Sequence, residues 1–270
     1  MAARDLAASM AFAPASACPV NTIGIIGHGK FGKHLDEDLL VRYAPHVSVR
    51  IFSRGKTGGR FVSFDEVAAC DVIFLTVPIH VIEDTLFRLL ENKQLRPDAI
   101  IVDVASVKQH TVEIFHRLAQ GRRYLLTHPM FGPESFKKRN GNIAGFRIVV
   151  AEHTLSGDVY PELQRFLTEC GFNVIEVEAA VHDKHLAETL FLTHYAGQIV
   201  YRAGFNRTLI DTVSFESLMN AVESVANDTE LFEDVYRYIP KECDEVIARF
   251  KAAQVGVDAR LKDIESVSVS

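Results

Sequence analysis

The chain has 270 residues, 48% of them hydrophobic and 24% charged, the composition of an ordinary globular protein with room for one large domain or two modest ones. Its formal net charge of −6 argues against a nucleic-acid partner, and no apolar run is long enough to cross a bilayer. The four cysteines, Cys18, Cys70, Cys170 and Cys243, are scattered without CxxC spacing, so they read as free thiols of a reducing compartment, the cytoplasm, and not as a disulfide or zinc framework.

Residues 1–20 are Ala-rich but hold no continuous apolar core behind a basic start, which is not the make-up of a secretory signal; they read as a loosely ordered tail. A β-branched strand, Thr22–Ile26, then runs into Gly27-His28-Gly29-Lys30-Phe31-Gly32, and a helical pattern continues to about Tyr43. Strand, glycine turn and helix are the context that a dinucleotide fingerprint needs. Gly27 allows the tight turn, Gly29 lets a pyrophosphate approach the backbone, and Gly32 lets helix pack close on strand. Together with Lys30 and Phe31 at the helix start, where unpaired N–H groups face the phosphates, these form the expected cofactor loop.

A second strand, residues 47–52, ends in Ser53-Arg54, with Lys56-Thr57 just beyond. NAD-binding folds carry an acidic residue near this point for the ribose hydroxyls. Here hydroxyls and cations stand instead, and Ser53, Arg54 and Thr57 suit the 2′-phosphate of NADP better than NAD.

Residues 64–69 read as a short helix, 71–77 as a buried strand stopped by Pro78, and a helix follows to about residue 90. The strand at 99–104 is almost wholly apolar and so covered on both faces; a helix then runs to about 119. The strand ends at Thr76-Val77-Pro78 and Ala105-Ser106 face the same rim as the glycine loop, which adds Thr76, Val77 and Pro78 to the cofactor set. Ser106 has two readings, a cap for the helix after it or a hydroxyl facing the ligand.

The strand at 123–127 delivers His128 into Thr127-His128-Pro129-Met130-Phe131-Gly132-Pro133-Glu134. Two prolines and a glycine there predict a rigid loop, with a titratable His at a strand's carboxyl end, where open α/β sheets bind ligands. Strands at 146–151 and 173–177 bracket a helix at 161–169. Residues 21–178 therefore read as a Rossmann-type α/β domain. Residues 179–270 read as an all-helical second domain, with helices at 179–202 and about 212–226, 228–238 and 241–265.

On the long helix, a 100° step places Asp183, Ala187, Leu190, His194, Gly197 and Tyr201 on one stripe, and His182, Thr189 and Thr193 on another. A glycine inside a helix costs up to about 1 kcal/mol relative to Ala, so Gly197 leaves room for something close by. His182 and Asp183 are equally read as capping the helix start. His182-Asp183-Lys184-His185 lacks the i,i+4 pair of a zincin, and no metal is expected.

At this point GHGKFG, DVASVK, THPMFGPE and HDKHLAETLFLTH together resemble the prephenate/arogenate dehydrogenases of tyrosine biosynthesis, from about residue 22 to the C-terminal helices. The segment TLIDTVSFESLMNAVESVANDTELFEDVY resembles the plant-type arogenate dehydrogenases. The resemblance implies a nicotinamide-dependent oxidative decarboxylation of a cyclohexadienol. It makes His128 the base that accepts the ring hydroxyl's proton, Ser106 the group that orients this hydroxyl, Glu134 a substrate-side carboxylate, and His194 the first His of the family's SHLPH segment. It also implies a homodimer formed through the helical part. Gly197 replaces that segment's second His, Pro133 stands where the family has Thr, and Arg207 is the nearest candidate for a substrate-binding Arg. These departures tilt the expectation from prephenate towards arogenate, with Asp183 available to its ammonium. The alternatives are a prephenate dehydrogenase giving 4-hydroxyphenylpyruvate, a β-hydroxyacid dehydrogenase or imine reductase of similar architecture, and a non-catalytic NADP sensor.

Overall fold

Among the described residues, seven strands are built where the apolar runs lie: β1 (Thr22–Ile26), β2 (Ser48–Phe52), β3 (Val72–Leu75), β4 (Ile100–Asp103), β5 (Arg123–Pro129), β6 (Arg147–His153) and β7 (Asn173–Glu176). The computed structural model describes residues 20–226 and 228–267; the tail reading for residues 1–19 falls outside them. The strands form one sheet in the order β2-β1-β3-β4-β5-β6-β7. Pairing is parallel from β2 through β5, β6 runs antiparallel to β5, and β7 is parallel to β6. The strand order reverses between β1 and β3, and the crevice outside such a reversal is where α/β sheets take ligands. Ile25, Ile51, Ile73, Leu75 and Ile101 are buried, as the covered faces of a parallel sheet demand.

Helices α1 (residues 30–43), α2 (Phe64–Ala68), α3 (Ile82–Leu90), α4 (Gln109–Leu118), α5 (Pro133–Lys138) and α6 (Val159–Glu169) belong to this unit. Leu35, Leu39 and Tyr43 of α1, with Tyr160 and Phe166 of α6, share one apolar core with Val72, Val102 and Leu125 of the sheet. Two features differ from the sequence reading. The strand carrying His128 does not stop at residue 127 but continues to Pro129, because β6 supplies an antiparallel partner that pairs His128 with Val149. The loop behind it is a short helix, α5, begun by Pro133. Proline fits the first helical turn, where its missing N–H has no partner to lose.

The described residues divide into two compact units, one ending at Ala180 and the other starting at Val181. The second is helical: most of α7 (residues 179–202), then α8 (Val213–Val225), α9 (Thr229–Tyr238) and α10 (Pro240–Val267). Its interior includes Phe191 stacked on Phe232 at 5.1 Å and the buried residues Val222, Val235, Cys243 and Val246. Among the described residues no helix is long and apolar enough to cross a membrane.

Candidate active site

Each glycine of the first loop has its own geometric reason. Gly27 has φ +104°, and a Cβ there would lie 2.6 Å from the Thr76 carbonyl oxygen. A Cβ on Gly32 would lie 2.6 Å from both the Gly27 carbonyl oxygen and Thr76 Oγ1. A Cβ on Gly29 would meet nothing within 4 Å. The outer glycines are thus filled by protein, while the middle one opens to space, the cradle a pyrophosphate fills. Gly29 also precedes α1 with no side-chain cap, leaving the first N–H groups, from Lys30 onward, directed at that space. These residues fit a dinucleotide. Thr76 acts as a buttress: its hydroxyl donates to the Gly27 carbonyl at 2.9 Å and the Ile26 carbonyl at 3.2 Å. Val77 is half-buried and Pro78 exposed on the same strand end, and the half-buried Phe31 of α1 packs against the core.

The loop after β2 presents Arg54 and Thr57 exposed and Ser53 half-buried. Sequence reasoning did not foresee how this loop is tied back. The Lys56 ammonium donates to His28 Nδ1 at 3.2 Å and lies 5.1 Å over the Phe61 ring. His28 Nε2 in turn stands 3.4 Å from the Asp36 carboxylate, which also accepts from Arg60. The nearby carboxylate is therefore already paired within the protein. The only hint in the sequence was a cation at position 60 matching an acid inside an apolar helix.

On the same rim, β4 and β5 end in Asp103 and Pro129. His128 is buried, with 5% of its surface exposed. The pairing register slips between Leu126 and Thr127, an irregularity of the kind that re-aims side chains beside active sites. Ser106 is half-buried and does not cap the helix after it: α4 starts at Gln109, and its cap position is Lys108. Lys108 itself was passed over in the sequence, yet it is wholly enclosed and pairs with Asp103. Nothing in the local pattern marks a lysine as buried. Glu134 sits in the first turn of α5 with its side chain 78% exposed, 4.0 Å from Lys137.

In the helical unit, His182 Nδ1 lies 2.7 Å from the Asp183 carboxylate, and both residues are buried. Asp183 is thus enclosed within α7 and does not cap its start. His194 is buried and stacks on Phe232 with the rings 6° from parallel, and its Nδ1 has no hydrogen-bond partner. Burial pushes its pKa below the usual histidine value against the opposing pull of Asp228, which favours the neutral ring. Gly197 does not open a space: a Cβ there would lie 2.5 Å from Val225 Cγ2. It allows α7 and α8 to approach closely, and Gln198 seals the contact by donating to the Val225 carbonyl at 3.1 Å. Arg207 is held by Glu223 at 2.7 Å and Asn220 at 2.8 Å.

Residues 56–145 match the family model described as the nucleotide-binding domain of prephenate dehydrogenase. The chain is 32% identical over 249 residues to arogenate dehydrogenase 1, chloroplastic, of Arabidopsis thaliana, covering 86% of this chain but 38% of that protein. It therefore spans well under half the length of this curated relative. Among solved structures, Synechocystis arogenate dehydrogenase matches with a TM-score of 0.65 at 20% identity, covering 90% of this chain and 93% of that one. Prephenate dehydrogenase from A. aeolicus, solved with hydroxyphenyl propionate and NAD+, matches with a TM-score of 0.70 at 14% identity, covering 93% and 94%. These two likenesses establish the fold.

Proposed function

We propose that the chain is a member of the prephenate/arogenate dehydrogenase family and that it oxidatively decarboxylates arogenate to tyrosine with NADP. The observation that carries this reading is a buried His128 at the end of β5, on the same sheet rim where β1 ends in a glycine loop fitted to a dinucleotide. A bound nicotinamide supplies the hydride acceptor. His128 accepts the ring hydroxyl's proton as the carbon beneath it gives up hydride, and returns that proton to the phenolate oxygen as carbon dioxide leaves and the ring becomes aromatic. Ser106 orients the hydroxyl, and Glu134 stands on the substrate side.

NADP is favoured by Ser53, Arg54 and Thr57 at the end of β2, where residues 53–60 include no acidic side chain; Asp36 nearby is taken by His28 and Arg60. Arogenate is favoured by the likeness to arogenate dehydrogenase 1, chloroplastic, of Arabidopsis thaliana. Within the helical unit, Arg207 is paired with Glu223 and the buried Asp183 with His182. Exposed Val255, Val257 and Leu261 on α10 suit a homodimer through the helical unit. Buried thiols at Cys70, Cys170 and Cys243, none of them in a disulfide, suit a reducing compartment such as the cytoplasm.

Measuring NADPH formation with arogenate and prephenate in parallel, and with NAD in place of NADP, tests the reading. It expects the highest kcat/KM for arogenate with NADP. A clear preference for prephenate overturns the substrate choice, and no turnover of either overturns the reaction.

A further inference from the structure

We propose that Lys108 is a positioning residue, a buried ammonium that locks the ends of β4 and β5 together and so fixes Ser106 and His128 in one geometry; this rests on the reaction read above. Lys108 and Asp103 are each 0% exposed. The ammonium donates to Asp103 Oδ2 and, at 2.6 Å, to the main-chain carbonyl of Thr127. Asp103 Oδ1 accepts the Ala105 N–H at 2.9 Å, and the Thr127 hydroxyl donates to the Asp103 carbonyl at 2.8 Å. These bonds end next door to the reacting groups: Ala105 precedes Ser106, and Thr127 precedes His128.

Two arguments make this more than a structural pair. Enclosed ion pairs are poor stabilisers, since taking both charges out of water offsets most of their attraction, and apolar replacements often do as well. What such a pair does supply is a fixed direction, because each charge-assisted bond tolerates little displacement. The second argument is local. Just past the register slip between Leu126 and Thr127, the Thr127–His128 peptide is paired by strand only on its β6 edge, because the β4 ladder ends at Leu126. The ammonium grips that peptide from the other side and ties it to the strand end that carries Ser106. A base and a hydroxyl-orienting group on different strands need such a tie, because misplacement by about 1 Å can cost about 100-fold in rate.

Lys108→Met alone leaves the Asp103 carboxylate buried without its partner and can prevent folding, so the test pairs it with Asp103→Asn. Thr127→Val serves as a second variant that removes one tie without unpairing a charge. Turnover is measured per NADP-binding site titrated in each preparation, so that a smaller folded fraction does not count as slower chemistry. The His128 imidazole is followed by 15N NMR, its signal assigned through His128→Asn. The double variant is expected to bind NADP within about threefold of the parent and to lose about 10- to 100-fold in kcat per site, with a smaller loss in Thr127→Val. The His128 signal is expected to shift or broaden in both. Parent-like kcat per site, or a loss of turnover with an unchanged His128 signal, overturns the proposal. If the parent oxidises neither arogenate nor prephenate, the functional reading falls, while the imidazole signal in the two variants still decides whether Lys108 sets the position of His128.

Discussion

Replacing Gly32 by Ala is expected to damage cofactor binding far more than folding, and replacing Gly29 is expected to do so with no folding cost at all. At Gly32 the new methyl lies 2.6 Å from the Gly27 carbonyl and 2.6 Å from Thr76 Oγ1, where ordinary contact begins near 3.4 Å. Neither neighbour can swing away. The carbonyl is backbone in a turn with φ +104°, and the hydroxyl is engaged at 2.9 Å with that same carbonyl. Overpacking of this kind costs about 1–3 kcal/mol, and the helix regains about 1 kcal/mol from exchanging Gly for Ala, so net destabilisation is at most about 2 kcal/mol. The strain is relieved by moving the α1 start against the turn, the surface that meets the pyrophosphate. Losing one or two charge-assisted bonds there, at about 1.5–3 kcal/mol each, weakens NADP by at least about tenfold, and by more than 100-fold at the upper end. At Gly29 nothing lies within 4 Å of the new methyl, so the melting temperature should stay put while affinity falls, because the methyl occupies the cradle itself. Calorimetric titration of NADP beside thermal melts of the parent and both variants checks this. A Gly29→Ala protein that binds NADP normally would refute the placement of the pyrophosphate. A Gly32→Ala protein that melts lower but binds normally would refute the coupling between helix start and cradle.

Three further outcomes rest on named groups. Arg54→Ala should weaken NADP by about 10- to 100-fold, since a charge-assisted phosphate bond is lost, and leave NAD nearly unchanged in the same titration; equal losses for both cofactors count against a 2′-phosphate contact. His128→Asn should lower kcat by roughly 10²–10⁴-fold with NADP affinity preserved, and near-normal turnover removes His128 as the base. For His194, burial lowers the folded-state pKa below the ordinary 6.5, so the unfolded chain takes up a proton at a pH where the folded chain does not. Stability is therefore complete above that value and declines as pH falls from 6.5 towards the lowered folded pKa. Melting temperatures between pH 7 and 5 should fall less steeply for His194→Phe than for the parent, and equal slopes would contradict the assignment.

The parts of the molecule legible in the sequence are those whose causes are local. β1, the glycine turn and α1 could be placed because a β-branched run, three glycines and a helical period succeed one another within 22 residues. The turn at Gly27 and the close packing at Gly32 were legible too, since both depend on nearby backbone. Features set by distant partners were not. β5 runs on through His128 only because β6, some 20 residues later, pairs with it. The sequence shows only that Gly197 leaves room for something close by; that something is Val225 of another helix. Pro133 has the mark of a breaker, and only the helical turn formed by Glu134-Ser135-Phe136 makes it a helix start instead. Lys108 had every mark of a surface residue and is among the most enclosed side chains of the described residues.

The long helix shows the same division at the scale of a single period. A uniform 100° step puts Leu190 and Tyr201 on the stripe of Asp183, Ala187 and His194, yet Leu190 is only half-buried, Tyr201 is exposed and Phe191 is enclosed in its place. A π turn lies at Ala187–Phe191, where an extra residue is taken up in the helix. Such turns are uncommon and gather at functional sites, because they break the regular ladder to re-aim side chains. Here the turn lies between the enclosed His182–Asp183 pair and the buried His194. A second π turn, Leu35–Leu40 in α1, comes directly after the glycine loop and contains Asp36, the carboxylate that holds His28 and Arg60. In both helices the irregular turn lies beside the polar residues that the regular period accounts for least. A departure from 3.6-residue periodicity close to buried charge is therefore itself a signal of function, and one that a periodicity reading discards by construction.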